Sequence, residues 1–145
     1  MLARLILRSI VATLVATCGL ISASCLAGGV MVVAHVDTPS LSEDVLQKVY
    51  LGKVVEVNGR PIIPVNLVRG NAVRKAFMEY VLTQDDEKFI AYWTVRRYIG
   101  KGIPPIEFTT IEQQLQFVRT TPGAVGYVDD TTDVRQGLRT LLKKP

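Results

Sequence analysis

The chain has 145 residues, a length that suits one domain. Hydrophobic residues make up 48% and charged residues 21%, an ordinary balance for a globular protein. The 17 basic and 13 acidic residues give a net charge of +4 and are well mixed along the sequence. A nucleic-acid-binding domain usually carries a clustered basic face instead, so we expect no nucleic-acid partner.

The first 27 residues have the pattern of a secretory signal peptide. Two arginines precede the apolar run Ile10–Ile21, and the small residues SASCLAGG follow it. The apolar run is shorter than the roughly 20 residues that a membrane-spanning helix needs. An uncleaved anchor from Leu5 to Leu26 is an alternative. We predict a signal peptide over residues 1–27 and a single domain over residues 28–145.

Both cysteines of the chain lie in this amino-terminal segment. Cys25 follows small residues, as lipid-modified cysteines do, although Ser22 stands where an apolar residue is expected. Lipidation of Cys25 is therefore a second alternative to simple cleavage. Cleavage leaves at most one cysteine in the mature chain, because Cys18 is removed, so we predict no intrachain disulfide.

Predicted strands and helices alternate after the signal. Val30–Val36 is a β-branched run typical of a buried strand. Ser40 and Glu43 have the spacing of a capping box, which opens the helix SEDVLQKVYLG. An Asn-Gly turn and a second short strand, IIPVNL, follow. Pro64 in that strand favours an edge position or an irregular ladder.

Helices are predicted through the middle of the chain. Asn71 can cap one helix, and Asp85 or Asp86 can open the next, in which Tyr98 belongs to the apolar face. A capping box at Thr110 opens a fourth helix. The segment TPGAVGYV reads as a turn and a strand, and the tail after it is ambiguous between helix and strand. This alternation predicts an α/β fold with a small mixed or mostly parallel sheet flanked by helices.

The residue types that most catalytic and metal sites require are scarce. The single histidine, His35, lies in an apolar strand, so neither a zinc site nor a histidine-activated nucleophile is predicted. The acidic runs Asp85–Glu87 and Asp129–Asp130 are better explained as a helix start and a solvated loop. GKGIPP lacks the strand–loop–helix spacing of a nucleotide-binding loop. We predict no metal, no cofactor and no enzymatic activity; a small hydrolase is the alternative that only spatial neighbours could support.

The stretch VNLVRGNAVRKAF is the candidate binding site. It joins the end of a predicted strand to a helix start, where unpaired backbone N–H groups and the helix dipole favour an anion. The cations there can add charge-assisted hydrogen bonds to phosphate or carboxylate. Two alternatives remain. The asparagine only caps the helix, or the cations of this stretch are solvated at the surface. The predicted ligand-binding residues are Arg69, Gly70, Asn71, Ala72 and Arg74.

Three segments of the chain resemble, in order, segments of the phosphate-binding protein of the bacterial phosphate ABC transporter. They are LQKVYLGKV, IIPVNLVRGNAVRKAFMEYVL and FVRTTPGAVGYV. That family belongs to the type 2 periplasmic binding proteins, in which two α/β lobes clasp the phosphate. The resemblance covers roughly residues 30–128 and one lobe of the two. It implies a periplasmic-binding-protein-like lobe in the periplasm, with phosphate or a related oxyanion as its ligand.

The chain departs from this family at the phosphate-holding residues. In the family a Ser-Gly-Thr run opens the corresponding helix, and here Asn71, Ala72 and Val73 stand in its place. Each missing hydrogen bond to phosphate costs on the order of 1–3 kcal/mol. Two lost hydroxyls lower the affinity by about a hundredfold or more. We therefore expect weak oxyanion binding or sensing.

An interaction module is the alternative function. Such a module keeps the fold but uses the former cleft face to contact a protein. The candidate partners are a membrane-bound transporter, a sensor protein, or a second copy of the chain in a homodimer.

Overall fold

The computed structural model describes residues 28–134 and 136–145. The helices and strands of this part follow in the order β1 Val30–His35, α1 Glu43–Tyr50, β2 Glu56–Val57, β3 Arg60–Pro61, β4 Ile63–Leu67, α2 Ala72–Tyr80, α3 Asp86–Tyr98, β5 Ile106–Phe108, α4 Ile111–Thr120, β6 Ala124–Asp129 and β7 Leu138–Lys144. The predicted signal segment, with both cysteines, lies outside the described residues. Within them, no helix is long and apolar enough to cross a membrane.

The main sheet has five strands in the order β5-β4-β6-β1-β7. Strand β4 runs parallel to β5 and β6, whereas β1 is antiparallel to β6 and β7. Helices cover this sheet, so the predicted α/β fold with a small mixed sheet is confirmed. The ambiguous tail forms the edge strand β7, which pairs with the buried strand β1 along its length.

Several strands end at one edge of the sheet, and helix α2 begins there. Strands β4, β5 and β6 are parallel and end there, and helix α2 begins there after β4. Val30, the first residue of β1, lies opposite Asp129 at the end of β6 and opposite Lys144 at the end of β7. We call this the α2 edge. Ligands of open α/β sheets bind outside the carboxyl ends of such strands.

Aromatic side chains form the centre of the core. The Tyr50 hydroxyl donates to the carbonyls of Val65 and Val125, at 2.9 and 3.2 Å, and so joins α1 to the two central parallel strands. The Phe77 ring stacks on Tyr127 with 3.9 Å between the ring centroids. All buried residues of the apolar clusters lie between positions 30 and 128. Residues 28–145 therefore contain the whole described core and are the unit used in the experiments below.

The locally encoded turns and caps mostly match the sequence predictions. Asn58 and Gly59 have positive φ angles of 53° and 73°, as the Asn-Gly hairpin turn requires. The predicted caps Asn71, Asp85 and Thr110 are confirmed, including the Thr110 capping box.

Two predictions about local structure were wrong. The first helix is capped by Ser42, whose hydroxyl accepts from the Val45 N–H, and not by Ser40. Burial of Leu41 in the core places Ser42 at the helix start. Strand β4, which contains Pro64, is an interior strand, so the predicted edge position was wrong; the alternative, an irregular ladder, fits, because β4 pairs with β6 only at Ile63 and Pro64. The proline is accommodated because pairing with β5 begins only at Val65.

Candidate functional site

The candidate site is the turn between β4 and α2, at the α2 edge. Strand β4 ends at Leu67, and helix α2 begins at Ala72. Gly70 has a φ angle of 84°, a conformation that glycine adopts without steric cost. The Asn71 N–H donates to the Val68 carbonyl at 3.4 Å, which closes the turn.

Asn71 uses its side chain to cap the helix. Its Oδ1 accepts from the N–H groups of Val73 and Arg74, at 2.9 and 3.4 Å. Two of the donors that an anion would use are therefore occupied by the protein. The N–H groups of Gly70 and Ala72 have no hydrogen-bond partner among the described residues, and both residues are exposed. These two donors remain for a ligand.

Arg74 is buried, with 2% of its side chain exposed, and is ion-paired with two carboxylates. Its guanidinium lies 2.7 Å from Asp86 and 2.5 Å from Glu107, and it donates to the Leu67 carbonyl at 2.5 Å. The alternative that Arg74 is a solvated surface cation was wrong. Its N–H groups tie the end of β4 to α3 and β5.

The two carboxylates that contact Arg74 favour the charged form of its guanidinium. Burial alone would lower the pKa of Arg74, but the hydrogen bonds with Glu107 and Asp86 outweigh burial, and the pKa is raised. A buried cation with two anionic partners has little attraction left for a third anion, because each partner already offsets its field.

Arg69 is the accessible cation of the site. Its side chain is 58% exposed, and it pairs with Glu87 at 2.7 Å and with Asp86 at 3.7 Å. Glu87 is itself 81% exposed. Solvent-exposed pairs of this kind contribute about 0–1 kcal/mol, so the Arg69 guanidinium can exchange Glu87 for another anion at little cost.

The two arginines of the site face three carboxylates. Those carboxylates are Asp86, Glu87 and Glu107, so these five groups together carry a formal charge of −1. The helix dipole adds roughly half a positive charge at the same place. The field at the α2 start is therefore close to balanced, in contrast to a strongly cationic cradle.

The buried side chain of Tyr127 holds the end of β4, just before the turn, in place. The Tyr127 hydroxyl accepts from the Leu67 N–H at 3.1 Å and donates to Asn66 Oδ1. Burial raises the pKa of Tyr127 well above its usual range, so the hydroxyl stays protonated. Sequence reasoning missed this residue, since Tyr127 lies 60 positions from Leu67 and reads as an ordinary strand tyrosine.

A second acidic feature lies at the same edge. Asp129 ends β6 and accepts hydrogen bonds from the hydroxyls of Thr131 and Thr132. These hydrogen bonds lower the pKa of Asp129, which keeps it ionised. This carboxylate adds to the negative charge at the α2 edge.

The lone histidine lies away from this site. His35 ends β1, whereas β1 begins at the α2 edge, and its Nδ1 accepts from the Asp37 N–H at 3.1 Å. In the part of the chain that the structure describes, no cluster of histidine, cysteine and carboxylate side chains could hold a metal ion.

Solved structures with the same fold include substrate-binding proteins for phosphate. A protein from Clostridium perfringens, described as a phosphate ABC transporter substrate-binding protein and solved with bound phosphate, matches with a TM-score of 0.60 at 18% identity. An ABC-type phosphate transport receptor from Vibrio cholerae matches with a TM-score of 0.58, and PstS from Borrelia burgdorferi with 0.57, each at 12% identity. No protein-family model and no curated protein matches the chain.

The similarity covers a part of each protein. It extends over 79% of this chain but only 45–47% of the three solved chains. The chain therefore resembles a single lobe of these proteins, as the sequence motifs predicted. At these identities the likeness establishes the fold alone.

Proposed function

We propose that this domain binds phosphate or a related oxyanion weakly, at the start of α2. One observation carries the proposal: at a helix start, the N–H groups of Gly70 and Ala72 have no hydrogen-bond partner among the described residues, and the exposed Arg69 precedes them in the chain. Support also comes from the fold, which is shared with a protein solved with bound phosphate.

Each residue of the proposed site has a distinct role. Arg69 leaves Glu87 and makes a charge-assisted hydrogen bond to the anion. The backbone of Gly70 and Ala72 donates directly, and Asn71 holds the helix start open by capping it. Arg74 acts as a positioning residue, because its guanidinium fixes the end of β4 and does not face the ligand.

The proposed affinity is low for two reasons. The side chains at positions 71–73 offer no hydroxyl to the anion. In addition, the acidic neighbours reduce the positive potential that would attract it. A few charge-assisted hydrogen bonds under these conditions correspond to a dissociation constant of about 1 mM. Such an affinity suits sensing of abundant anion better than capture of scarce anion.

The proposal also says where in the cell the protein acts and that it is not an enzyme. We propose that residues 1–27 direct the chain to the periplasm and that residues 28–145 are the mature domain. The solved structures with this fold are described as transport binding proteins, which supports a non-enzymatic role without a cofactor.

An interaction module is the second candidate, and the balanced charge at the α2 start favours it. If Arg69 remains paired with Glu87, the exposed α2 edge offers a polar surface to a protein. A membrane-bound transporter, a sensor or a second copy of the chain are the candidate partners. Light scattering of residues 28–145 over a range of concentrations tests the homodimer directly.

Calorimetric titration distinguishes the two candidates. Residues 28–145 are titrated with phosphate and with sulfate at low ionic strength, as wild type and as Arg69→Ala. Lys75→Ala is the matched control, because Lys75 is an exposed cation of α2 without an ion pair among the described residues. Saturable heat in wild type and control, lost in Arg69→Ala, supports oxyanion binding. Absence of heat in all three proteins up to tens of millimolar rejects it and favours the interaction module.

A further inference from the structure

The carboxyl end of α3 carries a group of large apolar side chains in solvent. We call residues Val95–Ile103 the Tyr98 tip. The exposed fractions there are 59% for Val95, 92% for Tyr98, 54% for Ile99 and 79% for Ile103. The sequence pattern placed Tyr98 on the buried face of α3, and this was wrong. Phe89 and Trp93 form the buried face instead.

The tip projects from a fixed base. Arg96 donates from Nη2 to the Gly52 carbonyl at 3.2 Å, and its guanidinium lies 5.5 Å from the ring centroids of Tyr92 and Trp93. Beyond α3, Gly100 has a φ angle of 69°, which turns the chain back on itself. An anchored helix end followed by a tight turn holds these apolar side chains in solvent.

The charge of the tip is entirely positive. No acidic residue occurs between positions 88 and 106. Arg97 and Lys101 are exposed and have no ion pair among the described residues. The carboxylates of α3 lie at its other end, beyond Lys88, about 18 Å away at 1.5 Å per residue. Unpaired cations beside exposed apolar groups match an anionic surface that also has an apolar layer.

We propose that the Tyr98 tip docks on a membrane surface containing anionic phospholipids. Tyr98 and Ile103 enter the interface between headgroups and acyl chains, where tyrosine is enriched and isolated apolar side chains leave water. Arg97 and Lys101 contact the phosphates of the headgroups, with their aliphatic stems along the apolar layer. A lipid surface deforms around exposed side chains and offers negative charge to the cations beside them, whereas a protein partner would need a matching groove.

This inference is independent of the proposed anion site. Helix α3 begins with Asp86, which contacts Arg74, and ends with Tyr98. Its 13 residues therefore separate the two surfaces by about 20 Å. A domain held on the membrane by its tip keeps the α2 edge open to solvent.

Vesicle binding tests the proposal directly. Residues 28–145 are sedimented with large unilamellar vesicles of phosphatidylcholine alone or with one quarter phosphatidylglycerol. We compare wild type with Tyr98→Ser/Ile103→Ser and with Arg97→Gln/Lys101→Gln. Lys75→Gln is the charge control on another surface. All these positions are exposed, so unchanged thermal melts are expected and are checked first.

Each variant has an expected effect on partitioning into the vesicles. Each cation near an anionic membrane surface contributes about fivefold to binding, so Arg97→Gln/Lys101→Gln lowers partitioning by about 25-fold. Tyr98→Ser/Ile103→Ser lowers it by at least about tenfold. Lys75→Gln leaves it unchanged, and raising the salt concentration weakens the wild type.

Any of three results would overturn the proposal. The first is equal sedimentation of wild type with and without phosphatidylglycerol, and the second is equal binding by wild type and the two tip variants. The third is the absence of vesicle binding together with specific crosslinking to a protein through a photoreactive amino acid at position 98 in the cell. This third result would assign the tip to a protein partner.

Discussion

Replacing Arg74 with methionine should destabilise the domain by about 2–5 kcal/mol. The substitution keeps an unbranched side chain over the Phe89 ring, which lies 6.0 Å from the guanidinium, but it removes every polar contact of Arg74. One hydrogen bond of the buried Leu67 carbonyl is lost, which costs about 1–3 kcal/mol.

The rest of the expected loss of stability comes from the two carboxylates that lose their partner, Asp86 and Glu107. Breaking a fully buried ion pair costs about 3–5 kcal/mol. Here the side chains of Asp86 and Glu107 are 26% and 45% exposed, so water recovers part of that cost when Arg74 is absent. We therefore add about 1–2 kcal/mol for the carboxylates, well below the fully buried value.

Urea unfolding followed by fluorescence measures this effect. Trp93 is the single tryptophan and is buried, so its emission reports global unfolding. Arg69→Met is the matched control, and it should change the free energy of unfolding by less than about 0.5 kcal/mol because its ion pairs are exposed. Equal and small effects of the two substitutions would refute the reasoning. Arg74 would then be a free cation, available to a ligand.

Three further predictions concern the stability of the fold. A Cβ at Gly123 would lie 2.2 Å from the Pro61 carbonyl oxygen, and φ is 84° there, so Gly123→Ala should lower the melting temperature strongly. Gly137→Ala, at a φ of 70° with open space around it, should cost only about 1 kcal/mol; equal melting temperatures would contradict the predicted clash. Tyr127→Phe should lower the free energy of unfolding by about 0.5–1.5 kcal/mol in urea, because Asn66 Oδ1 loses the Tyr127 hydroxyl as a donor while the Leu67 N–H keeps Asn66 Oδ1 as an acceptor, and an unchanged midpoint would argue against these hydrogen bonds. The lowered pKa of Asp129 contributes stability above its unfolded pKa of about 3.9, and this stability is lost as the pH falls through the lower folded value. The difference in stability between wild type and Asp129→Ala should therefore be larger at pH 7 than at pH 2, and a difference that is independent of pH would contradict this account.

Features encoded by neighbouring residues could be predicted from the sequence. Asn71, Asp85 and Thr110 cap helices because their side chains bond N–H groups two or three residues away. The Asn-Gly turn is local in the same sense. These signals, with the alternation of strands and helices, were sufficient for the α/β fold.

Features that depend on distant contacts could not be predicted. Glu107 lies 33 residues from Arg74, and no spacing rule joins them. The strand character of the tail is decided by its pairing with β1, about 110 residues earlier in the chain. Tyr98 was placed inward because an apolar residue at the end of a helix has the same period whether it packs or projects.

The fold changes how much positive charge a ligand meets at the start of α2. The sequence shows two arginines at a helix start, which suggests a cationic cradle. The fold places one of them in a buried ion-pair cluster and leaves the other, Arg69, accessible. The number of cations in a motif therefore overestimates the charge that a ligand meets.

The most direct test of the proposed function is a phosphate titration of ¹⁵N-labelled residues 28–145 followed by amide chemical shifts. The account predicts saturable shifts, with a midpoint of about 1 mM, for the N–H groups of Gly70 and Ala72. The amides of Val73 and Arg74, which Asn71 already caps, should move less. Shifts confined to another part of the domain, or no saturable shifts at the α2 start, would contradict the account.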